Sequence, residues 1–462
     1  MSVSAPSTIL EPARQVPVLA QVDVVVAGAG MTGVPAAIAA ARNGARTLLV
    51  ERMGFLGGVA VGAWVMPWMT FHSGKGTAVV GGIGQEIVDR LAPMGGSAGH
   101  VPDTVGVAST VTPFEPEILK TLIIDMLEEA KVEVMTHTWF SAPTLEGAKL
   151  TGMFVEAKGG RGAILAKTFI DATGDADLAV ACGVPYEAGR KEDGAHQPMT
   201  LMFRVANVNL DAIKAYMKAH PDEFHHQTRF ADLDKAPILG VSGFFTLWRQ
   251  AHLPVPRDRL LFFSTLTPGE IVVNTTRIQG LDPTSPADLY RAEAEGRHQM
   301  HAIFHWMKNG VPGFEHAVLG GAAPLVGVRE SRRIIGRYVL SGQDVLKARS
   351  FDDGIARGGF PVDIHIPKGE GIHQGDIASG EGYDIPYRCL LTHEVHNLLV
   401  AGKCFSADFE AHASARATPT CMAMGQAAGT AAAMAVRQGI EPDAIDVPEL
   451  RRTLRAAGAV LE

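Results

Sequence analysis

The sequence is poor in the features that mark several classes of protein. It has only four cysteines in 462 residues (Cys182, Cys389, Cys404 and Cys421), and none form a CxxC pair. That excludes a disulfide framework and argues against a structural zinc site. No apolar run reaches the roughly 18 residues of a membrane span. The first 20 residues lack the basic start and long apolar stretch of a secretory signal. The chain is therefore expected in a reducing, cytoplasmic compartment, with residues 1–20 as an N-terminal arm. Basic residues are outnumbered, 41 against 49 acidic, for a net charge of -8. This argues against a nucleic-acid partner while leaving a local anion site open. Glycine, by contrast, is abundant: 51 positions without a collagen period. Many turns and close backbone approaches are implied. The 47% of apolar residues excludes general disorder, and the length predicts two or three lobes.

Regular structure begins near Val22. DVVVA (23–27) reads as a buried strand, GAGMTG as a turn, VPAAIAAARNG as a helix ending at Gly44, and ARTLLVER as a second strand ending in Glu51. Strand, glycine turn, helix and strand open a doubly wound parallel sheet. A glycine-rich excursion follows over 53–112. PFEPEILKTLIIDMLEEAK predicts an amphipathic helix, with Ile118, Leu119, Leu122, Ile123, Met126 and Leu127 on one face. VEVMTHTWF reads as a strand, and LTGMFVEA and ILAKTFIDAT as a hairpin joined by KGGRG. Residues 191–385 read as an inserted mixed α+β substrate domain. Residues 21–190 and 386–440 form the discontinuous nucleotide-binding domain, and 441–462 a helical tail. The expected class is thus α/β, a Rossmann-like domain with an insertion.

GAGMTG supplies Gly28, Gly30 and Gly33, with Thr32 between them. Gly28 permits a tight turn, Gly30 lets a pyrophosphate approach the backbone, and Gly33 lets helix and strand pack closely. The free N–H groups of the first helical turn face the anion. Glu51 lies 23 residues after Gly28, where a carboxylate accepts ribose hydroxyls and repels a 2′-phosphate. FAD or NAD is favoured over NADP. ERMGFLGG, with Arg52, Gly57 and Gly58, departs from a direct run into another βα unit and tilts the choice to FAD.

At this point the chain resembles the FAD-dependent oxidoreductase family of the glutathione-reductase-like flavoprotein clan, in the branch akin to the fumarate reductase flavoprotein. The matching stretches are DVVVAGAGMTG…LLVERMGFLGG, FIDATGDADLAVACGVP, VVNTTRIQG, VGVRESRRIIGRYVL, DIPYRCLL and NLLVAGKCFSADFEAHASARATPTCMAMGQAAGTAAA. They span about residues 21 to 440. The resemblance implies a second fingerprint at Ala172, Thr173 and Gly174 and a third at Gly402. Lys403 stands where the clan often has an acid. It also implies a helix from near Pro419 aimed at the flavin ring. No histidyl link is required, so the FAD is expected to be non-covalent.

The chemistry is expected near ADFEAHASAR, where His412 could exchange a proton and Arg416 could hold a carboxylate. A Glu410–Arg416 ion pair is the competing reading. Arg329 in VGVRESRRIIG is a further candidate, against a structural pair with Glu330; Arg332 and Arg333 read as a solvated face. Asn274, Arg277, Tyr387 and Arg388 are weaker pocket candidates. Asp175 and Asp177 read as helix caps at least in part. His220, His225 and His226 fit no metal-ligand spacing, so no metal is expected. His365 and His373 read as a surface loop, and Trp64, Trp68 and Trp139 as core. Together these predict an oxidoreductase moving a hydride between a small organic substrate and flavin N5, with a second electron donor or acceptor. The sequence is compatible with a homo-oligomer. The competing readings are a structural flavin or scaffold module, and an NAD-dependent dehydrogenase.

Overall fold

The structure is a computed structural model that describes residues 8–462. The part of the expected N-terminal arm in residues 1–7 lies outside the described residues. The first strand, β1 (Val18–Ala27), starts earlier than the apolar pattern predicts. Its partner strand is long, and backbone pairing extends from Val18 opposite Ala163 to Ala27 opposite Asp171. Along the chain follow α1 (Gly33–Arg42), β2 (Thr47–Val50), α2 (Pro116–Glu129), β3 (Glu133–Met135), β4 (Thr138–Glu146), β5 (Lys149–Ala157), β6 (Gly160–Asp171) and α3 (Asp177–Ala181). VEVMTHTWF is therefore two strands. His137, at φ 51°, breaks the run and sends the chain into a hairpin.

The main sheet runs β3-β2-β1-β6-β5-β4. The pairs β3–β2, β2–β1 and β1–β6 are parallel; β6–β5 and β5–β4 form an antiparallel meander. Residues of β1 feed two separate cores, in alternation from Val24 to Ala27. Val24 and Val26 pack with α1 and α2, while Val22, Val25 and Ala27 pack with the meander. A strand covered on both faces has no polar side, which explains the unbroken valine run.

The second lobe has its own apolar core over 203–317. Its sheet is built from β7 (Phe203–Ala206), β8 (Gly240–Gly243), β9 (Leu260–Ser264), β10 (Ile271–Val273) and β11 (Val318–Ala322), in the order β8-β9-β10-β7-β11. The 25-residue helix α4 (Pro286–Gly310) packs on it through Met300, Ile303 and Met307. Beyond it, residues 340–391 bury Leu340, Val345, Ile355 and Tyr383 in the first core instead. This stretch contains the hairpin β12 (Val362–His365) and β13 (Ile372–Gly375). The chain then returns to the main sheet as β14 (Leu398–Val400), parallel to β6. Helices α5 (Phe409–Ala415), α6 (Thr418–Gln438) and α7 (Val447–Ala456) complete the molecule. A Cβ on Gly425 would lie 2.1 Å from Thr32 O, and one on Gly429 2.0 Å from Ala36 O. The small residues of α6 thus let it press directly on α1.

Candidate active site

The three glycines of GAGMTG have different neighbours. Gly28 has φ +95°, and a Cβ there would meet Ala172 O at 2.5 Å; on Gly33 it would meet Gly28 O at 1.8 Å. Both are required by the protein's own packing. A Cβ on Gly30 would meet nothing closer than Gly58 Cα at 3.9 Å. The missing side chain at Gly30 therefore leaves a cradle, at the start of a helix whose Thr32 makes no side-chain cap. That is the shape and polarity a pyrophosphate requires. The glycine-rich excursion returns to this loop: Gly57 N–H donates to Ala29 O at 2.8 Å, and a Cβ on Gly58 would lie 2.7 Å from Gly30 Cα. Glu51 is buried at the end of β2. Its carboxylate accepts from Ala29 N–H at 2.7 Å and Met53 N–H at 2.8 Å, which leaves lone pairs for ribose hydroxyls. Arg52 lies over the ring of Trp139, 5.3 Å from its centroid. Trp139 is half exposed there, not core.

The second fingerprint is held from below by Asp171. Its Oδ1 accepts from Thr173 N–H at 3.0 Å and the Thr173 hydroxyl at 2.7 Å, and its Oδ2 accepts from Ala179 N–H at 2.9 Å. Asp171 thus does the work expected of Asp175 and Asp177, neither of which caps α3. Asp175 instead meets Lys403 Nζ at 2.8 Å and accepts from the Ser331 hydroxyl; Asp177 pairs with Arg332. The lysine that replaces an acid after Gly402 is therefore answered by an acid from the second fingerprint. A Cβ on Gly402, at φ +88°, would meet Thr32 Oγ1 at 2.5 Å, so the first and third fingerprints touch.

A cavity of about 190 Å³ opens where the lobes and the α6 N-terminus meet. Its walls include Trp68, Thr200, Asn274, Arg329, Asp363, His365, Lys403 and Arg416, with Ala417 and Thr418 at the start of α6. No side chain caps that helix, and its first turn holds no acid, so its positive end faces the cavity uncompensated. Arg329 donates to Pro198 O and the Thr200 hydroxyl, not to Glu330. Glu330 is instead buried against Arg333, which is 1% exposed, so this run is no solvated face. Arg416 donates to Asp363 O at 3.2 Å and lies 3.5 Å from its carboxylate. It does not pair with Glu410.

His365 and Asp363 were not legible as site residues. The glycine-rich stretch read as a surface loop, yet His365 is buried and sits on β12 with its Nε2 3.2 Å from Asp363 Oδ2. The alternation Val362–Asp363–Ile364–His365–Ile366 was the available signal, because period two marks a strand. His373, on β13, is exposed as expected. Burial pushes His365 down to about 3, with Arg329 adding to the effect. Burial opposes ionisation of Asp363, but His365 and the guanidiniums of Arg416 and Arg329 outweigh it and hold that carboxyl below the usual range. His365 thus stays neutral beside an ionised partner, and Nε2 carries the proton it donates.

His412 is fully buried and is not among the residues lining the cavity. Neither ring nitrogen has a partner, and burial, then Arg333 and Arg416, keep it neutral. Tyr387 donates to Pro442 O and Arg388 pairs with Asp353; neither reaches the cavity. Trp68 is core and cavity wall at once. Among the described residues no His, Cys, Asp and Glu cluster could hold a metal, and no helix is long and apolar enough to cross a membrane. All four cysteines are buried and free.

The open space at Gly30 beside the start of α1, with the buried Glu51 next to it, suits a dinucleotide. The chain belongs to the FAD-dependent oxidoreductase family, whose profile matches residues 23–454, and its cofactor is FAD. No curated protein matches it significantly. Among solved structures it is similar to p-nitrophenol 4-monooxygenase PnpA from Pseudomonas putida DLL-E4, at TM-score 0.50 and 10% identity over 94% of this chain and 86% of that one. Others are a geranylgeranyl bacteriochlorophyll reductase-like protein from Thermoplasma acidophilum (0.44, 13%, 94% and 82%) and the flavin-dependent brominase Bmp2 (0.46, 13%, 94% and 83%). At such identities the PnpA likeness is one of fold.

Proposed function

We propose that the enzyme moves a hydride between flavin N5 and a small substrate bearing an anionic group, and that a second electron donor or acceptor completes the cycle. The imbalance of unsatisfied groups around the cavity carries this reading. Trp68 Nε1 and Arg416 Nε are buried donors without a partner, against one such acceptor, Asn274 Oδ1. Lys403 is neutralised by Asp175, which leaves Arg329 and Arg416 facing the single carboxylate of Asp363. Buried positive charge in excess calls for an anion from the ligand.

Gly28, Gly30, Thr32, Gly33, Glu51, Arg52, Gly57, Gly58, Ala172, Thr173, Gly174 and Gly402 would hold FAD, which would supply a two-electron centre. Arg329 and Arg416 hold the anionic group of the substrate. With Nε2–H committed to Asp363, His365 Nδ1 is free to hold the proton that accompanies the hydride. An arriving anion offsets the nearby guanidiniums and so raises the proton affinity of His365 only when substrate is in place. His365 thus takes the role first assigned to His412. The resemblance of VGVRESRRIIGRYVL to the fumarate-reductase-like branch supports the same reading.

The test is anaerobic mixing of the yellow holoenzyme with paired candidate donors, each anion matched to its neutral ester or amide. The anionic member of a pair should bleach the flavin, and Arg416→Gln should weaken it by about 10- to 100-fold. Equal bleaching by the neutral member would remove the anion from the account. A flavin that no donor bleaches would favour a structural cofactor.

A further inference from the structure

The hairpin β12–β13 brings Asp363 and His365 to the cavity, yet its tip, residues 366–371, is gripped from the second lobe. Arg277, just beyond β10, is 1% exposed. Its Nη2 donates to Ile366 O at 2.9 Å and Gly371 O at 2.7 Å, the two carbonyls at the foot of the tip. Gln279 donates from Nε2 to Gly369 O at 2.7 Å and Ile366 O at 3.3 Å. The same Gln279 amide accepts from Gly369 N–H at 3.4 Å. Arg277 is itself locked, because Gln299 accepts from its N–H at 2.7 Å and donates to its carbonyl at 3.0 Å. Nε and Nη1 of Arg277 are buried without partners. A guanidinium kept there while half unsatisfied, with burial lowering its proton affinity, must be offset by the carbonyls it holds.

We propose that Arg277 and Gln279 are positioning residues: together they latch the β12–β13 hairpin shut, and so fix the wall of the cavity that carries Asp363 and His365. Part of this rests on the reading that the flavin ring faces that cavity. The latch acts through backbone carbonyls, so it holds the strand without touching the reacting groups. It adds a polar tie between the lobes to the apolar contact that Met202, Phe263 and Val272 make with the first core. The remaining side-chain tie seen at the tip is the exposed pair Lys368–Asp193 at 3.4 Å, which contributes little.

The experiment uses the FAD-loaded protein and two probes. Lys368 lies in the tip with its side chain 73% exposed, so trypsin cleavage there reports hairpin opening. Sulfite, which bleaches flavins at N5, reports access to the cavity. Arg277→Ala and Gln279→Ala should each speed both cleavage at Lys368 and bleaching by sulfite by about tenfold or more. Arg277→Lys, which keeps a single donor nitrogen, should fall between Arg277→Ala and the wild type. Bound FAD should be unchanged throughout. If Arg277→Ala does not fold, the partly exposed Gln279 carries the test alone. Unchanged cleavage would overturn the latch, and faster cleavage with unchanged bleaching would overturn its control of the cavity. A wild-type flavin that ignores sulfite would instead count against the ring facing this cavity; cleavage at Lys368 then decides the latch by itself.

Discussion

At the scale of single residues, Gly30 separates cofactor requirement from folding requirement. Gly28 and Gly33 are glycines because neighbouring backbone occupies the space a Cβ would need; Gly30 is not so constrained. Gly30→Ala should therefore leave stability within about 0.5 kcal/mol in the apoprotein while weakening FAD at least about tenfold. Gly33→Ala should cost several times that in stability. Urea unfolding and FAD titration check the pair, and equal destabilisation by both would contradict the assignment.

His365 offers a second test with a defined sign. Its ordinary value of 6.5 falls to about 3 in the folded protein. Below pH 6.5 the unfolded chain takes up a proton that the folded chain refuses, so His365 stabilises fully above that point and progressively less as pH falls toward 3. Relative to His365→Asn, the wild type should lose up to about 1.4 kcal/mol per pH unit between pH 6 and 4. Thermal or urea denaturation across that range reads it. A difference independent of pH would mean that His365 is not held neutral.

At the scale of elements, the fit between α1 and α6 is the tightest constraint. Gly429 lets α6 lie against Ala36 O, and Gly425 against Thr32 O. Gly429→Ala pushes the helices apart and should cost about 1 to 3 kcal/mol, despite the better helix propensity of alanine. Urea denaturation measures it; a stabilised variant would show that the helices have slack. The first βαβ unit, α2 and α6 were legible because their patterns are long and periodic: Val24–Ala27 of β1 is an unbroken apolar run, and α2 repeats at three and four residues. The β12–β13 hairpin was not, because Gly369, Gly371 and Gly375 in DIHIPKGEGIHQGD signal a loop while the strand alternation occupies only five positions. The same obscured His365 and Asp363. His412 stood out by its neighbours in sequence, but α5 turns it into the interior. Arg329 and Arg416, singled out in the sequence, do line the cavity, while their partners, Thr200 and Asp363, are distant in sequence and could not be read from it.

At the scale of the molecule, the nucleotide cradle belongs to the first lobe and the cavity to the meeting of both. Asp175 and Lys403 join the second fingerprint to the third, Arg416 joins the third to the hairpin, and Arg277 joins the hairpin to the second lobe. Charge balance follows this route. Lys403 is paired within the cofactor turns, while Arg329 and Arg416 share one acid at the cavity. On the proposed reading, FAD takes the end with the paired charges and the substrate takes the end where Arg329 and Arg416 share Asp363.

Crystallographic density for the yellow holoenzyme tests this division most directly. A diphosphate against Gly30 and an isoalloxazine ring beside Arg416, Asp363 and His365 are expected. Density with the ring turned away from those three residues, or with side chains filling the space above Gly30, would contradict it.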